Sequence, residues 1–97
     1  MYERAIPLGR LVATAAVAST LAQDQNLSSM IFGWLKLHER GECPHLDQED
    51  RASNRRAIAN GERVLTSWPT GRRDEPKLWI ITEADRSATT LLWPSDY

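Results

Sequence analysis

The hydrophobic period of this chain changes once, at Gly61, and that change constrains its architecture more than any other feature. Before Gly61 the apolar residues recur at helical spacing; after it they alternate with period two. A helical half followed by a strand half points to an α+β domain rather than alternating βαβ units. "NLSSMIFGWLKLHERG" is the strongest helical signal. Leu27, Met30, Ile31, Trp34, Leu35, Leu37 and His38 share one broad face, and Gly41 stands where a left-handed C-cap belongs. Phe32 falls on the polar side, so it is either covered by a second layer, the expectation preferred here, or left to meet a partner. Thr14 is placed to N-cap "AAVASTLA", and Asp47 to N-cap "QEDRASNRRAIAN", which Gly61 stops. In that last helix Asn54 is read as a partly buried amide tying loops to the helix.

After Gly61, "ERVLTSW", "KLWIIT" and "TTLLW" read as strands, separated by "PTGRRDEP" and "EADRSA". Leu78, Ile80 and Thr82 face one way and Trp79, Ile81 and Glu83 the other, which makes the middle strand central. Ser87, Thr89 and Thr90 are set to pair across the hairpin with Thr82. The expected architecture is one α+β domain over residues 1–97, mainly helical over 8–61, with an antiparallel β meander over 62–94. About three helices pack on one face of a three-stranded sheet, with Leu8–Thr14 as a candidate fourth strand. At 97 residues the chain has room for one modest core and no separate cofactor domain.

Composition narrows function mainly by exclusion. The five glycines are isolated, so no phosphate-cradling loop is encoded. No serine sits in a nucleophile elbow, and no cofactor is expected. His38, Cys43, His45, Asp47 and Asp50 lie close in sequence, but their spacing matches no zinc signature, and His38 continues an apolar face. We therefore expect a core histidine, no metal and no enzyme. The single Cys43 excludes an internal disulfide, and "MYERAIPLGR" lacks the apolar core of a signal peptide. The chain is read as a complete, cytoplasmic gene product with no membrane partner.

Charge is unevenly spread. Residues 51–73 carry six arginines against Glu62, for +5, while residues 1–50 and 74–97 each sum to −3. The bland expectation is that these arginines pair with the acidic flanks. The alternative is a nucleic-acid or anion surface built from Arg51, Arg55, Arg56, Arg72 and Arg73. The turn "EADRSA" has the same two readings. It is first a charged turn, with Asp85 bonding its own backbone, and second a recognition tip presenting Glu83, Asp85 and Arg86.

"WIITEADRSATTLLWPSDY", together with "LGRLVAT" and "DRASNRRAIANGERVL", resembles a set of short bacterial proteins from plasmids, phages and integrative elements. They are loosely called plasmid-related proteins, and some carry the name type I restriction endonuclease subunit M. The resemblance covers about the first fifth and residues 50–97, and its C-terminal motif is the specific part. The chain has neither the glycine-rich loop nor the proline-containing tetrad of a DNA methyltransferase. In the family the connector at Glu42–His45 usually holds Gly and Trp, so "ECPH" is a departure. The resemblance implies a mobile-element setting and a non-enzymatic protein that binds a host or element complex. Such proteins include inhibitors of restriction and CRISPR defence. The alternative class is a small nucleic-acid-binding regulator.

Overall fold

The computed structural model describes residues 5–97. Its elements run β1 (Arg10–Ala13), α1 (Ala15–Gln23), α2 (Gln25–His38), α3 (Gln48–Asn60), β2 (Val64–Pro69), β3 (Lys77–Thr82) and β4 (Ala88–Leu92). A 3-10 turn at Pro94–Asp96 follows. The expected caps are in place. Thr14 Oγ1 accepts from Val17 N–H, Asp47 takes the N–H of Asp50, and Gly61 closes α3 at φ 70°. Asp24, which the sequence reading passed over, caps α2 by accepting from Leu27 N–H.

The strands form one sheet in the order β1-β4-β3-β2. β2, β3 and β4 are the expected antiparallel meander. The fourth strand is present, but it lies parallel to β4, with Arg10 opposite Ala88 and Ala13 opposite Leu91. The sheet is therefore mixed. The helices supply the physical reason. After β1 the chain passes through all three helices before it re-enters the sheet, which is the long crossover a parallel pair requires.

Gly9 lets β1 approach β4. It sits at φ 65°, and a Cβ there would run into the carbonyl oxygens of Arg86 and Ser87. The left-handed conformation and the missing side chain are both required.

Val17, Leu27, Ile31, Leu35, Trp68, Leu78, Ile80, Leu91 and Trp93 form the main core between the helices and the inner sheet face. Trp34 stacks on Trp68 with ring centroids 5.6 Å apart. Ile6, Ala57 and Val64 form a smaller cluster where α3 meets β2. Two expectations for α2 are corrected by the structure. Met30, on the expected apolar face, is 38% exposed, and Phe32, expected to be covered, is 75% exposed. The helix buries only the narrow stripe Leu27, Ile31, Leu35 and His38, because a single neighbouring layer covers it. No helix among the described residues is long and apolar enough to cross a membrane.

Candidate functional site

A polar seam crosses the core, and its protons can be placed from its ends. The Leu8 carbonyl can only accept, so the Thr89 hydroxyl donates to it at 2.7 Å. Thr89 Oγ1 then accepts from the Thr82 hydroxyl at 2.7 Å. Thr82 Oγ1 in turn accepts from His38 Nε2–H at 2.8 Å. From the other end, the Trp68 indole N–H donates to Thr66 Oγ1 at 2.8 Å. With Nε2 protonated, the neutral ring leaves Nδ1 bare, and the Thr66 hydroxyl donates to it at 2.7 Å. The Leu8 end sets this Nε2–H tautomer and the Trp68 end is compatible with it, so every member is satisfied. Burial holds the His38 pKa down at about 4, and the nearby Arg86 charge adds to the effect. Both ring nitrogens are consumed by threonines. The seam is an internal fastening that joins β2, α2, β3, β4 and the lead-in to β1.

The other metal-like residues are also dispersed. Cys43 donates its thiol to the Ser67 carbonyl at 3.2 Å, and His45 sets its ring edge on Trp68. Among the described residues, no group of three or more His, Cys, Asp or Glu could hold a metal ion.

The hairpin turn between β3 and β4 is built as a structural clamp. Asp85 Oδ1 accepts from Ser87 N–H at 3.0 Å. Bonds from Ser87 hold the Asp85 pKa below the usual carboxylate value. Arg86 sits at φ 61°, which costs a non-glycine residue about 1 kcal/mol or more. Its guanidinium reaches back to the Glu62, Glu83 and Ala57 carbonyls at 2.7, 3.1 and 3.4 Å. The Ala57 and Glu62 carbonyls lie at the C-terminal end of α3, where a cation also complements the helix dipole. Of the three candidate tip residues, Arg86 faces the protein, while Glu83 and Asp85 remain exposed.

The arginine block divides in two. Arg72 follows the bland expectation. Its fork holds Asp74 at 3.1 Å and reaches Asp24 at 2.9 Å, tying the β2–β3 loop to the cap of α2. Arg51, Arg55, Arg56 and Arg73 do not follow it. Among the described residues they make no ion pair with the acidic flanks, of which Asp24 and Asp74 are taken by Arg72 and Asp47 caps α3. Arg51 and Arg55, one turn apart on α3, line a cleft with Arg40, Leu37, Cys43, Pro44 and Glu42. On α2, Phe32 and Lys36 are one turn apart, and Arg40 follows a turn later. The exposed aromatic ring and Lys36 therefore stand on the helix whose C-terminal connector carries Arg40 into the cleft. Arg40 and Lys36 were absent from the sequence-based candidates. Their signal is the i, i+4, i+8 spacing from Phe32, which crosses the helix end and so escaped a helix-by-helix reading.

No family model, no curated protein and no solved structure matches the chain.

Proposed function

We propose that this chain is a non-enzymatic binding protein of a mobile genetic element, acting by contact with a host or element protein complex in an anti-defence role. The observation that carries the reading is the group of Phe32, Lys36, Arg40, Arg51 and Arg55. It joins an exposed aromatic to cations that make no ion pair among the described residues, whereas the buried polar groups His38, Asn54, Thr66, Thr82 and Thr89 are committed inside the fold. Aromatic and arginine side chains dominate the energetics of protein interfaces, and open cations favour an acidic counter-surface. The mobile-element setting comes from the resemblance of the C-terminal motif.

A second reading is supported by the same arginines. A regulator that grips nucleic acid would use Arg51, Arg55 and Arg56 on phosphates and Phe32 on an unstacked base.

Affinity capture of the tagged chain from a bacterial lysate, with and without nuclease, separates the two. The leading reading expects one defined protein complex that survives nuclease and is lost with Phe32→Ala or with Arg51→Glu plus Arg55→Glu. Recovery of nucleic acid alone, abolished by nuclease and steeply weakened by salt, would sink it and establish the second.

A further inference from the structure

The two edges of the sheet are finished differently. At β2 the Asn54 side chain imitates a neighbouring strand. Its Nδ2 donates to the Leu65 carbonyl at 2.9 Å, and its Oδ1 accepts from Leu65 N–H at 3.4 Å. Among the described residues β1 has no such cover. Arg10 N–H donates to the Ser87 carbonyl and Thr14 N–H to the Leu91 carbonyl, each at 3.0 Å. With period two, Arg10, Val12 and Thr14 turn their backbone groups toward β4, so Leu11 and Ala13 turn theirs outward. Leu11 and Val12 are 50% and 37% exposed, on a strand whose outer backbone groups meet no partner strand among the described residues. An open edge of this kind is a template for another strand.

We propose that a second copy of this chain pairs antiparallel with β1 about a two-fold axis through Val12, giving one continuous eight-stranded sheet. The backbone restricts the register, because outward groups must meet outward groups. Leu11 then exchanges N–H···O=C bonds with Ala13 of the second copy, and reciprocally. The two Val12 side chains meet as a close, non-hydrogen-bonded pair on the outer face.

Charge selects this register over a shift by one pair. It sets Arg10 opposite Thr14 of the other copy, and the Thr14 hydroxyl donates to Asp96 Oδ2 at 2.8 Å. That same oxygen also takes Trp93 N–H, while Oδ1 accepts no hydrogen bond among the described residues. Arg10 likewise has no ion pair among the described residues. The two-fold axis thus brings two exposed arginines beside two half-open carboxylates. α1 packs over β1 and β4, and its exposed residues apart from Gln23 are alanine or serine, so the two helices can approach closely. α3 lies at the far edge, and its arginine face stays open in the assembly.

Sedimentation of the full chain from micromolar to millimolar concentration is expected to show twice the chain mass at the upper end; a monomer throughout overturns the proposal. Hydrogen exchange distinguishes this interface from any other. The Leu11 and Ala13 amides should slow by about tenfold or more as the dimer forms. A dimer that leaves them unprotected would also overturn it. Val12→Lys sets two ammonium groups face to face and should abolish the dimer while preserving helical signal and Tm. Arg10→Glu, which places a carboxylate against Asp96, should do the same and serves if the first variant fails to fold. A dimer indifferent to both substitutions rejects the edge pairing.

Discussion

The hairpin turn at Glu83–Ala88 and the outer face of α3 look alike in the sequence: both are charged, polar and carry arginine. In the folded molecule they differ. Arg86 spends its guanidinium on three backbone carbonyls, whereas Arg51 and Arg55 border a cleft without an acidic partner among the described residues. The same side chain is a fastener in one place and an open charge in the other. What separates them is what lies around each: helix-end carbonyls accept from Arg86, and an open cleft borders Arg51 and Arg55. The His38 seam extends the committed side of this contrast into the core, where polar groups that would suit a site are all used to close the fold.

Substitutions in the seam should have the largest effect. His38→Ala removes a fully buried ring and leaves the Thr66 hydroxyl without its acceptor and Thr82 Oγ1 without its donor. A loss of about 3–5 kcal/mol is expected in urea unfolding. A loss under about 1 kcal/mol would show that the seam is not closed as described.

Acid should act on the same group. The folded pKa of His38 lies near 4, below its ordinary 6.5, so the unfolded chain binds the extra proton first. The stabilisation is complete above about pH 6.5 and is lost as pH falls toward 4, a change of about 3 kcal/mol. Unfolding curves across that window test the sign, and a pH-matched His38→Gln chain should lack this component of the slope. A protonated His38 would place a second N–H against Thr66, which already accepts from Trp68.

Arg86 comes next, on the committed side of the comparison. Arg86→Ala should cost about 1–3 kcal/mol through its lost carbonyl bonds. Arg86→Gly should cost about 1 kcal/mol less than Arg86→Ala, since glycine relieves the left-handed backbone. Equal losses for the two would show that the positive φ carries no strain. The smallest stability effect is expected on the open side. Arg51→Ala with Arg55→Ala should shift stability by no more than about 0.5 kcal/mol, while weakening partner capture. A large drop in Tm for that pair would erase the contrast, because it would make the α3 arginines structural too.

Local chemistry made the caps and strands legible before any coordinates were considered. Thr14, Asp47 and Gly61 stand at the ends they were assigned, and "KLWIIT" is β3 residue for residue. The sequence marks Asn54 as a tying amide, but it ties α3 to strand β2 rather than to a loop, and of Ser87, Thr89 and Thr90 it is Thr89 that lies opposite Thr82. The exposure of Phe32 escapes the sequence, because helical periodicity says which side a residue faces but not how many layers cover that side. Pairing with the acidic flanks holds for Arg72 but not for Arg51, Arg55, Arg56 and Arg73 among the described residues, because a charge sum over a segment carries no distances.

The sequence by itself therefore determined the α+β class, the start of α1, both ends of α3 and the meander, since each depends on residues within a few positions of one another. Only the tertiary structure decided the parallel placement of β1, the closure of the His38 seam across four elements, and which arginines find an acidic partner among the described residues. Each of these depends on contacts between residues far apart in the chain, such as Leu8 with Thr89 and Asp24 with Arg72, and such contacts exist only once the layers have packed.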